Sequence, residues 1–369
     1  MHITKKLSAE GKISEKEYRS IELPSYSSLK VYAESPMLFY KRYVTKEAKP
    51  EEVGKDAIYG SVVHNLLARN DEQVDEDKFL IGDVSEIDKD ANHPSYFAWK
   101  IWELTEADVL AHGDQTRTFA SIAEEAFQQT KYDPRTGEEV RFKKKELDYA
   151  LGKFEGTALE TWYKMKRRAY GRSLVSIEDM DNCLKIYKDV REYKDTSAIY
   201  CQETDNRYEV FNELAMTFQH GGLTLKGMAD KIIVDHDAKT VAVYDTKVTW
   251  EENFSRQYLD KWYYLQGATY DVCIAQWQKE NEIEKYKRMP MKFIRVHNLS
   301  WYRPLICPMT TNDLKAAMGG FKTRWGKTYP GFRQIVQDLE WSLDTGIWSV
   351  KREDYLNNSV RPLNIPYGA

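Results

Sequence analysis

The stretch Gly227-Met228-Ala229-Asp230-Lys231-Ile232-Ile233-Val234-Asp235, followed by Thr240-Val241-Ala242-Val243-Tyr244-Asp245-Thr246-Lys247-Val248-Thr249, decides how this chain is read. Both segments are rich in β-branched and aromatic residues, and a turn over 235–239 separates them. A third such segment, 207–219, precedes them across His220-Gly221-Gly222. The pattern predicts a three-stranded antiparallel meander over 207–219, 223–235 and 240–249. Folding the chain back about Gly221-Gly222 sets Glu213 opposite Asp230, and folding about Asp237-Ala238 sets Asp230 opposite Asp245. Three acids are then expected in one row across three strands, with Cβ atoms ~5 Å apart. Lys247, two residues beyond Asp245, is expected on the same face. Val241–Tyr244 is a core-type run, so the acid at its end has no packing reason to be there. Like charges this close are destabilising unless something neutralises them. Ligation by carboxylates alone suits Mg²⁺ or Mn²⁺. The plain alternative is a solvated hairpin face carrying ordinary surface charge, as Lys231 and Asp235 suggest, and a single bulge would break the row.

Working outward, the C-terminal side reads as a long helix over 255–279, a strand over 291–297 and a helical region over 310–343, broken near Tyr329-Pro330-Gly331. On the helix, Gln266 and Tyr270 stand four residues apart and share a face. On the N-terminal side, residues 1–20 read as a loose polar arm and 25–44 as two short helices. Ser35 is placed as an N-cap with Pro36 at the first helical position. Gly60-Ser61-Val62-Val63-His64 reads as a helix starting on a glycine, which would allow a close approach to the sheet or a substrate. A lone histidine is more often a satisfied core residue, so His64 draws its interest from the meander. Residues 70–205 are mostly helical in pattern and richly charged, with a turn at Asp133–Gly137.

The set Gly227-Met228-Ala229-Asp230 with Tyr244-Asp245-Thr246-Lys247 resembles the PD-(D/E)XK nuclease superfamily, through its acid…acid-x-lysine signature. Within it, the chain resembles the RecB-type branch that includes exonuclease VIII and phage recombination exonucleases. Gly60-Ser61-x-x-His64 fits that branch's histidine helix, and Gln266-Gly267-Ala268-Thr269-Tyr270 fits its Q-x-x-x-Y helix. Glu213 fits its acid on the strand before the aspartates, and Ser27-Ser28-Leu29…Ser35-Pro36 its opening helices. The match covers 25–67 and 207–275.

The resemblance implies an α/β (α+β) fold with a restriction-endonuclease-like core: a small mixed β-sheet with an antiparallel meander, flanked by helices, plus a helical insertion lobe. One nuclease domain over 1–369 is expected, with N-terminal helices and the histidine motif at 25–67 and the helical insertion at 70–205. The catalytic sheet and Q-x-x-x-Y helix fall at 207–300, and a C-terminal helical region and tail at 310–369. The resemblance also implies a metal-dependent DNA exonuclease. His64, Asp230, Asp245, the Thr246 backbone carbonyl and Glu213 would hold Mg²⁺ or Mn²⁺. Lys247 would orient the attacking water, stabilise negative charge or act as a base, with Gln266 and Tyr270 as positioning groups. Duplex-end resection for recombination or repair, a ring-shaped homo-oligomer and a single-strand-annealing recombinase partner follow from the same likeness. A single-strand- or structure-specific nuclease and a catalytically silent DNA-binding module are the competing readings.

The composition limits these readings. The chain has 369 residues, 42% hydrophobic and 30% charged, with 25 Tyr, 13 Phe and 10 Trp, which excludes a disordered or low-complexity protein and supplies a large core. A net charge of -4 argues against a wholly electrostatic DNA binder. Basic residues do cluster at Arg141–Lys145 and at Lys164, Lys166, Arg167, Arg168 and Arg172, the latter beside Trp162 and Tyr163. Such interleaving can bind phosphates and stack bases, although a solvated helix face is the commoner outcome. The four cysteines show no C-x-x-C pair, so no iron–sulfur cluster is expected, and scattered thiols suit a reducing cytoplasm, which the resemblance implies is that of a bacterial or phage-infected cell. Gly326-Lys327-Thr328 lacks the upstream glycine of a phosphate loop, since position 321 is Phe321, so no ATP site is expected. No leader peptide and no membrane span are expected either.

Overall fold

The computed structural model describes residues 15–48, 54–83, 87, 92–113, 117–130, 146–298, 302–324 and 326–360. The turn at Asp133–Gly137 and the basic run Arg141–Lys145 lie outside them. Two compact units are present, Met1–Asn70 with Lys185–Ala369, and Asp71–Leu184. The insertion expected over 70–205 thus corresponds to a unit ending at Leu184, and residues 185–205 belong with the first unit.

The first unit is built on a mixed six-stranded sheet. Its main path is β1 (Tyr208–His220), β2 (Leu223–Asp235), β3 (Thr240–Thr249), β4 (Lys292–His297) and β5 (Leu305–Pro308), in that spatial order. The short strand Lys287–Arg288 also pairs with the start of β3. β1, β2 and β3 form the expected antiparallel meander. The first turn has two residues with φ +60° at Gly221, where a tight hairpin favours glycine. In the second turn the Asp235 carboxylate accepts from the backbone N–H groups of Asp237 and Ala238, and Lys239 takes a left-handed φ of +55°. β4 runs parallel to β3, which requires a crossover between them.

That crossover contains two helices rather than one. The segment expected as a single helix is divided into Phe254–Asp260 and Tyr263–Glu280 at Trp262, whose φ is +62°. The helices that matter for the sheet are α1 (Tyr26–Glu34), α2 (Lys55–Arg69), α3 (Tyr263–Glu280), α4 (Thr311–Gly319) and α5 (Phe332–Thr345). α3 packs against β1 and β2, while α2 packs chiefly against β3. The core includes Leu214, Phe218, Leu225, Ala229, Ile232 and Phe293 from the sheet, with Leu265, Ala268 and Ile274 from α3.

Several local expectations need correction. α2 begins at Lys55 behind an N-cap glycine, Gly54, so Gly60 lies inside the helix. A Cβ on Gly60 would meet no atom within 4 Å, so that glycine permits no close approach. The end of the polar arm forms a helix over Glu15–Ser20, and the Lys226 ammonium donates to the carbonyls of Tyr18 and Ile21 at 2.7 Å each. Ser35 does cap the short helix Pro36–Phe39, accepting from Leu38 N–H, and a π-helical turn over Tyr40–Val44 follows.

The C-terminal helical region is interrupted by the hairpin of Phe321–Lys322 with Thr328–Tyr329. There Gly331 passes directly over the end of α4. A Cβ on Gly331 would lie 2.2 Å from Gly320 N and 2.6 Å from the Met318 carbonyl oxygen. Because these are backbone atoms, the site cannot relax by rotating a side chain. Gly331→Ala is therefore expected to destabilise the protein by about 3 kcal/mol, read as a lower urea midpoint at unchanged m-value.

The second unit has its own core, formed by Phe97, Ile101, Ile122, Phe127, Phe154 and Trp162. Its helices include His93–His112, Phe119–Gln129, Leu147–Phe154 and Ala158–Arg168, and a parallel strand pair joins Phe79–Gly82 to Ser173–Ser176.

Candidate active site

The expected acid row is present in register but not as a regular ladder. Asn212 pairs with Lys231 and Leu214 with Ala229, so Glu213 does face Asp230, yet the two do not form a ladder pair. Glu213 instead takes a left-handed φ of +49°. The change shows in which residues reach α3. Phe211 stacks edge-on against Trp277, and Met216 Sδ lies 3.7 Å from Cys273 Sγ. Strict alternation would put residues 211 and 216 on opposite faces. The strand therefore changes phase by one residue at Glu213. A bulky residue in this region of backbone space is strained, and such strain clusters at functional sites.

The second half of the row opens as well. β2–β3 pairing ends at Lys231 with Tyr244, one step short of Asp230 and Asp245. The Asp230 side chain fills the opening, with Oδ2 accepting from Thr246 N–H at 2.9 Å. The same oxygen lies 3.1 Å from His64 Nδ1 on α2. Asp245 is enclosed, its side chain 1% exposed, and Lys247 Nζ lies 2.5 Å from its Oδ2. Gln266 Nε2 donates to Asp245 Oδ1 at 2.6 Å and to the Tyr270 hydroxyl at 3.2 Å. Tyr270 in turn donates to the Met228 carbonyl at 2.5 Å, tying α3 to β2 just before Asp230. A small pocket beside Asp230 is lined by His64, Glu213 and Thr246 among others. His64, Glu213, Asp230, Asp245, Thr246, Lys247, Gln266 and Tyr270 are thus brought together.

The two aspartates differ electrostatically. Burial, and then the neighbouring Asp230 carboxylate, push the Asp245 carboxyl up to about 6 against the pull of Lys247. Burial also works against charge on Asp230, but His64, Lys247 and the Thr246 N–H outweigh it and hold that carboxyl below the usual range. His64 is raised because Asp230 overcomes the cost of burying its charge. Lys247 is raised because Asp245 and Asp230 overcome the same cost. The result is a desolvated pair of acids, each already held by a cation and a hydrogen-bond donor: His64 and the Thr246 N–H on Asp230, Lys247 and Gln266 on Asp245.

Among the described residues no group of three His, Cys, Asp or Glu side chains stands as a ready-made metal cage. The donor set still suits a hard divalent cation. It offers two carboxylates and an imidazole, and one carboxyl is driven towards protonation by burial and by the other carboxylate beside it. Gln266 Oε1 is also buried without a hydrogen-bond partner.

Three further residues belong to this arrangement and were not singled out in the sequence. The Tyr200 hydroxyl shares a 2.5 Å hydrogen bond with Thr246 Oγ1. No local pattern marks Tyr200, which lies 46 residues before its partner. Lys247 Nζ stands 4.8 Å over the Tyr263 ring. Tyr263 could have been found, because residues 263, 266 and 270 follow helical spacing on one face of α3. Lys231, expected as surface charge, is 4% exposed and donates to Asn212 Oδ1 at 3.0 Å. Burial, with Arg191 nearby, lowers it to about 8. Asp235 is held by Arg207 at 2.6 Å.

The basic residues Lys164, Lys166, Arg167, Arg168 and Arg172 lie in the second unit. Lys164 pairs with Glu160 at 2.6 Å, Lys166 stands over the Trp99 and Trp162 rings, and Arg172 donates to the carbonyls of Glu76 and Arg168. Trp162 and Tyr163 are 1% and 5% exposed, so neither ring is available to stack on a base. The described residues contain no helix long and apolar enough to cross a membrane.

No curated protein matches the chain. It is similar to a crystal structure from Eubacterium rectale, provisionally described as an exonuclease, at 12% identity and a TM-score of 0.43, over 97% of this chain and 96% of that one. The model of the PD-(D/E)XK nuclease superfamily matches residues 24–301, a span that takes in α1, the His64 helix, the meander and α3. Nucleases of this superfamily generally depend on a divalent metal. Because that match spans well over half of its length, the chain belongs to the PD-(D/E)XK nuclease superfamily.

Proposed function

We propose that this protein is a Mg²⁺- or Mn²⁺-dependent exodeoxyribonuclease of the RecB-type, exonuclease VIII-like branch, which resects linear duplex ends in recombination or repair. The observation that carries the proposal is the Asp230–Asp245–Lys247 cluster at the point where β2 and β3 part, braced by Gln266 and Tyr270. Asp230, Asp245, His64 and the Thr246 carbonyl would hold the metal, and Glu213 would complete its shell directly or through water. When bound, the metal supplies Lewis-acid polarisation of the phosphate and lowers the pKa of an attacking water.

The remaining roles fall to the chain itself. Lys247, kept charged by its two carboxylates, orients the attacking water and meets the negative charge that grows on the phosphate oxygens. Water oxygen bonds to phosphorus as the P–O3′ bond breaks, leaving a 3′-hydroxyl and a 5′-phosphate. Gln266 fixes the Asp245 carboxylate through its amide, and Tyr270 fixes Gln266. Tyr200 holds Thr246, and with it the segment of β3 between the two reacting residues. The ring assembly and the recombinase partner stay expectations of the resemblance.

Glu213 gives a separate test. Glu213→Gly relieves a left-handed residue and is expected to keep or raise stability, by up to about 1 kcal/mol, while cleavage falls. Loss of both stability and cleavage would make Glu213 a structural residue only. The exonuclease reading is tested with end-labelled linear duplex and closed circular duplex. Metal-dependent loss of the linear form with circles spared is expected, and cutting of circles would replace the reading with an endonuclease.

A further inference from the structure

Lys231 is 4% exposed, and its ammonium donates to Asn212 Oδ1 at 3.0 Å across the β1–β2 ladder. A neutral amide satisfies the hydrogen bond but leaves the charge unmet, and among the described residues no carboxylate pairs with it. Burying an ammonium without a counter-charge is costly. A second cation adds to that cost. Burial, and then the Arg191 guanidinium, work against charge on Lys231. Arg191 stands in the last turn of the helix Ile177–Glu192. Two contacts hold it near. The Tyr200 ring lies 5.9 Å from Lys231 Nζ, and the next residue, Cys201, donates from Sγ to the Arg191 carbonyl at 3.6 Å. Arg191 also has no ion pair among the described residues, and its guanidinium stands 5.4 Å over the Tyr187 ring. Both cations belong to the first unit.

The pair borders the candidate site. The small pocket beside Asp230 is lined by Lys231 and Asn212 as well as by His64, Glu213 and Thr246. Neighbours on a strand alternate faces, yet Asp230 and Lys231 both reach this pocket, with Asp230 turned to the Thr246 N–H and to His64. Tyr200, whose ring faces Lys231, bonds Thr246 Oγ1 at 2.5 Å. Lys231 is enclosed, whereas Arg191 and Asn212 are half-buried and keep a side open to solvent. Asn212 gives its carbonyl to a group that can only donate, so its amide N–H groups are left to donate elsewhere. Two cations and an amide thus stand together with no anion among the described residues. We propose that Lys231, Arg191 and Asn212 hold a backbone phosphate of the nucleic acid next to the scissile one, on the Thr246 side of the proposed metal ligands. Unmatched cations call for an anion, and a nuclease substrate carries a row of them. A contact of this kind sets the register of the strand and is blind to its sequence. The proposal rests on the nuclease reading and deepens it.

The test measures binding of a short linear duplex in EDTA by the wild-type protein, Lys231→Met and Arg191→Gln. The duplex is intact or carries one uncharged methylphosphonate linkage, moved stepwise along one strand. Each variant should weaken binding roughly tenfold or more, as for loss of a charge-assisted hydrogen bond. Each should also lower the slope of log Kd against log salt by about 0.9, one phosphate contact. One methylphosphonate position should weaken wild-type binding by a similar factor and add little in either variant. A merely structural lysine would lower Tm in Lys231→Met and leave the salt slope of both variants unchanged. That result, or a methylphosphonate penalty that persists in full in both variants, would overturn the proposal. Arg191→Gln keeps the test available should Lys231→Met fail to fold, because Arg191 is half-buried at a helix end. Cleavage read in parallel separates the two readings. The expected binding pattern without cleavage by the wild type in any metal would keep the phosphate site and reject the nuclease. Metal-dependent cleavage with unchanged binding in both variants would do the reverse.

Discussion

Lys247→Ala is expected to lower metal-dependent DNA cleavage by at least about a thousandfold, at the upper end of what removal of one charge-stabilising donor costs, while DNA binding and fold are retained. Lys247 Nζ lies 2.5 Å from a carboxylate that is almost wholly enclosed, and it rests on the Tyr263 ring. Its place is therefore fixed from two sides before substrate arrives, and preorganised charge of this kind is worth most where water is excluded. Removing one member of a buried ion pair ordinarily costs about 3–5 kcal/mol, because the other charge is stranded. Asp245 has an escape from that cost. Its carboxyl is already pushed up to about 6, and without Lys247 it rises further and takes up a proton. The variant should thus fold, by circular dichroism and melting, and bind an oligonucleotide as the wild type does. Wild-type cleavage rates in Lys247→Ala would contradict the role given to the lysine.

The second large effect concerns the metal. Mg²⁺ or Mn²⁺ is expected to stabilise the folded chain, by about 2.7 kcal/mol at a hundredfold excess over Kd, read as a rise in Tm. Asp230→Asn combined with Asp245→Asn should abolish that rise, because it removes both carboxylates from the donor set. The pH dependence follows from Asp245. Its folded pKa of about 6 stands above the ordinary 3.8, so between these values the metal-free fold keeps a proton that the unfolded chain has released. That contribution to stability is complete below the ordinary value and is lost as pH rises through about 6. Metal runs the other way, since the bound ion needs the carboxylate and must displace the proton. Apparent metal affinity should therefore weaken as pH falls below about 6 and should still climb above it, because His64, raised from its ordinary value, must also shed a proton to ligate; both are measurable as the metal-induced Tm shift across pH 5 to 8. A shift that is insensitive to pH, or that survives the double substitution, would place the metal elsewhere.

The parts of this arrangement legible in the sequence are those set by local chemistry. Gly221-Gly222 and the Asp235–Lys239 turn fix the register of two hairpins, and register alone brings Glu213, Asp230 and Asp245 to one level of the sheet. Helical spacing put Gln266 and Tyr270 on one face, where both bonds are found. What the sequence did not disclose depends on departures from regular geometry. A left-handed glutamate at Glu213 carries no compositional signature, so the change of strand phase was invisible. Trp262 breaks the helix before Tyr263 by the same kind of backbone turn, in a residue that favours no such conformation. Lys231 read as surface charge because sequence shows neither Asn212 beneath its ammonium nor the Tyr200 ring beside it. Gly60 read as a helix start, whereas Gly54 provides it.

The most direct test is a digestion time course of end-labelled linear DNA with the wild-type protein in Mg²⁺, in Mn²⁺ and in EDTA, alongside Asp245→Asn. Cleavage in either metal, none in EDTA and none in the variant is the predicted result. No cleavage by the wild type under any of these conditions, or cleavage that persists in EDTA, would contradict a metal-dependent nuclease centred on Asp230, Asp245 and Lys247.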